Sequence, residues 1–429
     1  MNRRTWLQLS ASAAIAPRFA NAATARSAAE GVEQARGEIR RRFLDRHGVM
    51  VDFTGLDGSV DLPTPDECRA GKPNALGWFQ PIENGSMFNG LYMDAAVNAW
   101  RRSRTEADAA EARRLMEGLL LLNSVSDQAP GFVARGVSTD GRSHFPMGSN
   151  DQTGPWFYGL WRYWRDGPAT DEERRRIVSH FLATAEAVIR LGWKMPAEPP
   201  YPTRGTFAGF GFDDAPRPLF VLRALHAMTG DAAWERRCRE MLDERGPEGR
   251  TRREVCERGM VYTYAPTHAW TSCVSVAALR GLWEMEDDPA ARAAFARGLA
   301  ASARLAAGGL PVYARFDPAD RSPFTTDWRQ SMMPLWKPQA DEREAQALAQ
   351  AQVREFEKAS PRRRLENAFI REPTAAAWIV SLAPDADLVR SLATEIARIA
   401  AHYDYSKLHY CTFFWIVDAW LRTEVLKAE

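Results

Sequence analysis

Five side chains of this sequence have the types needed for acid and base work on a polar substrate: Glu83, Asp151, Asp213, Asp214 and His268. Cleaving a glycosidic bond takes a protonated carboxyl beside the leaving oxygen and a second carboxylate that activates water or attacks the sugar. Asp151 leads as the acid. It lies in the turn Gly148-Ser149-Asn150-Asp151-Gln152, bounded by Trp156 and Trp161, where burial beside aromatic rings raises a carboxyl's pKa. The second acid comes from Glu83, Asp213 or Asp214. The adjacent pair Asp213-Asp214 brings two carboxyls close enough for one to be protonated, and Glu83 precedes the turn dipeptide Asn84-Gly85. Abstraction of the proton beside a uronate carboxylate is a different chemistry, which uses His or Tyr with a neutralising Arg. Tyr262, Tyr264 and His268 with Arg135 offer that set, and His409-Tyr410 form a second His/Tyr stretch. The acids also suit helix N-caps, so capping stands beside catalysis for each.

The elements that must position these residues are helices. Apolar periodicity predicts helices over 27–47, 88–103, 106–122, 152–165, 171–191, 216–228, 232–244, 267–285, 289–307, 341–358, 373–382, 385–402 and 408–426. Glu83, Asp151, Asp213, His268, Asp327 and Glu372 open successive first helices, 45 to 68 residues apart, a loose period of helical hairpins. First helices such as 267–285 are apolar and aromatic, whereas second helices carry a charged face; the former belong inside and the latter outside. The expected fold is therefore all-α, an (α/α)6 toroid of six or seven hairpins, forming one domain over 23–429. Its inner-helix loops converge on a mouth, the default ligand site. Pyranose rings stack on Trp and Tyr faces, so the substrate-binding set is Tyr92, Arg135, Asn150, Gln152, Trp156, Tyr264, Trp270, Asp327 and Trp328. Trp161, Trp164, Trp283, Trp415 and Trp420 fall at helical spacings and belong to the core.

Several motifs carry a resemblance: Glu83-Asn84-Gly85 with Gly90-Leu91-Tyr92, then Gly131-Phe132-Val133-Ala134-Arg135-Gly136, Gly148-Ser149-Asn150-Asp151-Gln152 and Gly159-Leu160. Together with Asp213-Asp214 and Thr267-His268-Ala269-Trp270, this pattern resembles the six-hairpin glycosidase-like superfamily. The resemblance implies a carbohydrate-active protein: a glycoside hydrolase first, with a polysaccharide lyase, an epimerase-like enzyme or a non-catalytic glycan-binding toroid as alternatives. The partner it implies is an oligo- or polysaccharide, with no cofactor.

Composition narrows the rest. With 56 basic and 55 acidic residues the chain lacks the cationic excess that phosphate backbones demand, so no nucleic-acid partner is expected. No apolar run reaches the roughly 20 residues of a bilayer span. At the N-terminus, Arg3-Arg4, a weakly apolar run and Ala20-Asn21-Ala22 read as a signal over 1–22 of the twin-arginine type, which predicts passage through the twin-arginine machinery to the periplasm or beyond. Cleavage removes Arg3, Arg4 and Arg18 and takes the formal charge from +1 to −2. The five cysteines form no C-x-x-C pair; Cys273 and Cys411 read as core, a disulfide among the others stays open, and no metal site is expected. Walker, dinucleotide-turn, zincin and G-x-S-x-G motifs are absent from the sequence.

Overall fold

The structure, a computed structural model, describes residues 26–262 and 268–428. The expected export signal, 1–22, and Tyr264 lie outside the described residues. The all-α class holds. In chain order the α-helices are α1 (Ala28–Glu38), α2 (Pro65–Arg69), α3 (Gly85–Ser103), α4 (Glu106–Ser124), α5 (Asn150–Asp166), α6 (Asp171–Arg190), α7 (Pro216–Thr229), α8 (Ala232–Leu242), α9 (Arg252–Arg258), α10 (Ala269–Met285), α11 (Pro289–Ala307), α12 (Trp328–Met332), α13 (Glu342–Ala359), α14 (Arg362–Glu366), α15 (Glu372–Ser381), α16 (Ala386–His402) and α17 (Trp415–Ala428). Two short strands, β1 (Lys194–Pro196) and β2 (Thr203–Thr206), pair antiparallel between α6 and α7.

Six helices are buried along most of their length, and they touch in sequence. α3 packs on α5, α5 on α7 and α10, α7 on α10, α10 on α15, α15 on α17, and α17 back on α3. Around them, α4 packs on α3, α6 on α5 and α7, α8 on α7, α11 on α10 and α15, α16 on α15 and α17, and α1 on α16 and α17. Trp161, Trp378 and Trp415 are fully buried in the core between these helices.

The two groups of helices begin differently. Every outer helix is capped by its own chain: Ser27, Thr105, Thr170, Asp231, Asp288 and Asp385 each accept a first-turn N–H of α1, α4, α6, α8, α11 and α16. Such local caps are each worth about 1 kcal/mol. The N-cap residues of α3, α5, α7, α10 and α15 make no side-chain capping bond. In α3 and α10 first-turn donors are met from neighbouring elements instead. Gln152 Oε1 accepts the Met87 N–H at 3.1 Å, and Glu372 Oε2 accepts the Ala269 N–H at 2.9 Å.

One predicted hairpin fails. Asp327 opens only the five-residue α12, accepting the N–H groups of Arg329 and Gln330 as a plain cap, so it starts no long inner helix. The following α13 packs on α12, and its Gln352 donates to the Pro73 carbonyl at 2.7 Å while accepting from Asn74 at 3.0 Å. This segment seals the 53–79 loops. The helix-length periodicity was real but the partner is a loop cluster.

Candidate functional site

Hydrogen bonds link the N-terminal ends of the six buried helices in a closed circuit. Gln152 at the start of α5 donates to Asn84 before α3 at 3.3 Å. Asp151 on α5 accepts from Arg217 on α7 at 3.3 Å, and Arg217 donates to Ser275 on α10 at 2.9 Å. Ala269 on α10 donates to Glu372 on α15, whose neighbour Thr374 donates to the Thr412 carbonyl before α17 at 2.9 Å. The Cys411 N–H donates to the Asp52 carbonyl at 3.0 Å, and the Asp52 carboxylate accepts both the backbone and side-chain N–H of Asn84, at 2.8 and 2.7 Å. Glu83, Asp151, Asp213, Asp214, His268 and Glu372 all lie on this rim.

Capping does not account for Asp151, Asp213 and Asp214. α5 is capped at Ser149 and α7 at Ala215, neither by a side chain, so the carboxyls of Asp151, Asp213 and Asp214 are free for other partners. The Asp151 side chain is 55% exposed and pairs with the buried Arg217. The expectation that aromatic rings bury it is corrected: Trp156 and Trp161 point into the core, with Trp156 Nε1 bonded to the Leu119 carbonyl at 2.8 Å. Asp213 and Asp214 are half-buried beside Arg217. Burial raises both carboxyls against the pull of that guanidinium, and the Asp151 charge adds to the rise.

Glu372 is the most perturbed acid of the rim. Burial pushes its carboxyl up to about 7, opposed by Arg371 and by the Ala269 and Trp270 N–H groups. The Arg371 guanidinium stands 4.0 Å away and is itself pulled down to about 10 by burial. Both partners shift toward neutrality, so desolvation outweighs their attraction. Arg371 lies over the Trp270 ring at 4.1 Å and has no carboxylate closer than Glu372 among the described residues. His268, edge-on to Trp270 with centroids 5.7 Å apart, is driven toward its neutral form by burial and then by Arg371. Glu372, Arg371, Trp270 and His268 thus form one wall.

Glu83 holds a turn. Its Oε2 accepts the N–H of Phe79, a residue in the left-handed region at φ 66°. Burial raises the Glu83 carboxyl while Arg363, Arg135 and Arg371 oppose the rise; burial, and then the Glu83 charge, raises Asp52. Arg135 is buried, donating to the Met147 and Glu83 carbonyls and to Ser149, and burial brings it down to about 9.

Several predicted binding residues are instead structural. Tyr92 is buried and donates to Glu111 at 2.8 Å on the outer side. Trp328 is buried, bonded to the Asp61 carbonyl at 2.7 Å, and Gln152 is a buried tie between α3 and α5. Asn150 sits against Gly205, where an added Cβ would meet its Oδ1 at 2.6 Å. Sequence reasoning missed Asp52, Arg217, Arg371 and Trp78, whose half-buried ring lies 5.2 Å from the Arg204 guanidinium. Arg217 had a readable signal, because a cation in a helix's first turn opposes the macrodipole and needs a tertiary acid. All five cysteines are buried and free, and among the described residues no His, Cys, Asp and Glu group could hold a metal. No helix among them is long and apolar enough to cross a membrane. The chain matches no protein-family model, no curated protein and no solved structure.

Proposed function

We propose that this chain is an exported (α/α)6 toroid of the six-hairpin glycosidase-like type that hydrolyses glycosidic bonds at the rim described above. The six hairpins pair α3 with α4, α5 with α6, α7 with α8, α10 with α11, α15 with α16, and α17 with α1 from the other end of the chain. Glu372 is the proton donor. Its carboxyl, near 7, is about half protonated at neutral pH and is bonded to the Ala269 N–H, next in the chain to Trp270. Asp151, solvent-open and held by Arg217, is the carboxylate that activates water or attacks the sugar. Asp213 and Asp214 steady Arg217 from the other side. The observation that carries the reading is a buried, neutral-leaning acid and an exposed, ion-paired acid on one rim, the division of labour that glycoside hydrolysis requires.

The test is release of reducing ends from a broad glycan panel. E372Q and D151N should each lower turnover about 10² to 10⁴-fold while retaining glycan binding, and wild-type levels of product from E372Q would remove the donor role. Arg371, stacked on Trp270 next to His268, favours a second reading, a lyase in which His268 abstracts a proton and Arg371 neutralises a uronate carboxylate. That reaction leaves a C=C bond and new ultraviolet absorbance and depends on His268. Glycan binding with neither product would leave a non-catalytic binding toroid.

A further inference from the structure

Away from the rim, a cavity of about 780 Å³ opens where the C-terminal ends of α3, α5, α10 and α17 meet. Its inner layer is a balanced charge network. Buried Asp94 accepts from Tyr158 at 2.8 Å and pairs with Arg162 at 2.9 Å and Arg422 at 3.0 Å. Asp418 takes Arg422 and Asn98, each at 2.6 Å, and the Trp378 indole at 2.8 Å. Glu284 takes Arg162, Arg165 and Arg280, and Asp166 takes Arg162. Four carboxylates therefore answer four guanidiniums, and the layer needs no further cation.

Four more arginines nevertheless line the cavity: Arg101, Arg102, Arg104 and Arg292. None has a carboxylate partner among the described residues. Three are held on indole rings, with Arg102 5.6 Å from Trp420, Arg104 4.4 Å from Trp100 and Arg292 4.8 Å from Trp283. A stacked guanidinium is pre-ordered yet keeps its in-plane N–H donors for another ligand. Cations do suit helix C-termini, but one helix end supplies only about half a negative charge, and the end of α3 alone carries three of these arginines. All four side chains reach solvent, so the fold neither buries nor pairs them and their charge is available to a ligand.

We propose that this cavity binds a multivalent oxyanion, a soluble ligand with two or more phosphate- or sulfate-type groups. Planar guanidinium forks match such groups bidentately. The volume exceeds what a single oxyanion fills and lies within the range of small-molecule sites. The test is calorimetric titration of the full-length mature protein with tripolyphosphate and, separately, with a polysulfated oligosaccharide, near physiological salt. Two variants with unchanged melting curves are compared: Arg101→Ala with Arg292→Ala at the cavity, and Arg175→Ala with Arg236→Ala, which removes the same charge from α6 and α8. Saturable binding of either ligand, weakened at least about tenfold by the first variant and hardly by the second, supports the site, and the tighter ligand identifies the oxyanion. Equal weakening in both variants, or no saturable binding of either ligand, overturns it.

Discussion

At the scale of single residues, charge state follows burial more than residue type. Asp151 and Glu372 both open buried helices, yet one is 55% exposed and the other is buried and pushed up to about 7. The Glu372 shift has a thermodynamic signature. Its folded pKa lies above the ordinary 4.5, so between those values the folded protein holds a proton that the unfolded chain has lost. Stability must then fall as pH rises from about 4.5 to about 7, by up to roughly 3 kcal/mol for this group. E372Q keeps an oxygen for the Ala269 N–H but cannot ionise. In urea denaturation it is expected to match wild type near pH 4 and to exceed it by about 1 to 3 kcal/mol at pH 8. Parallel pH profiles for the two proteins would contradict the assignment. If Glu372 is the donor, hydrolysis by the wild type also declines as pH passes through about 7, where the proton is lost.

Among elements, α3 and α5 approach closely: a Cβ on Gly159 would lie 2.6 Å from the Gly90 Cα, and one on Gly90 2.0 Å from the Pro155 carbonyl oxygen. These are backbone atoms, so a methyl group can be admitted only by separating the helix that follows Glu83 from the helix that carries Asp151. Gly90→Ala is expected to cost about 2 to 4 kcal/mol, read from the urea midpoint. Gly37 in α1 is the counterexample: it is exposed, with no atom within 4 Å of an added Cβ, so Gly37→Ala should stabilise by about 0.5 to 1 kcal/mol. A similar gain at both positions would show that helix propensity, not the α3–α5 contact, sets the response. The same contrast runs through the helix starts. Outer caps are local and were visible in the sequence as Ser, Thr or Asp ahead of a charged helix, whereas inner starts depend on Gln152, Glu372 and Asp52, which come from elsewhere in the chain.

For the whole molecule, the closed order of helix contacts has a consequence for unfolding. α17 packs on α3 and on α1, so the last helix cannot leave without opening contacts of the first ones. We expect a single calorimetric transition for the chain from residue 23 onward, with van't Hoff and calorimetric enthalpies in agreement. Two resolved transitions would divide the chain into separately folding parts. Truncation before α17 should abolish folding rather than trim it, as judged by loss of the cooperative transition.

Periodicity alone determined most helices to within a few residues, because apolar stripes every third or fourth position are a local property of the chain. It also distinguished inner from outer helices, since an all-round apolar helix must be buried. It placed Asp327 and Trp328 wrongly, because a helix that seals loops and a helix that joins a ring bury the same kind of stripe. It could not tell Trp156, a core residue, from Trp270, a rim residue, as both follow a polar turn by a few positions. Only the tertiary structure decided which acid is desolvated, which arginines lack partners and which polar helix openers serve as caps. Those properties arise from groups far apart in the chain brought within a few ångströms, and a pKa or an unmet hydrogen bond exists only once they meet.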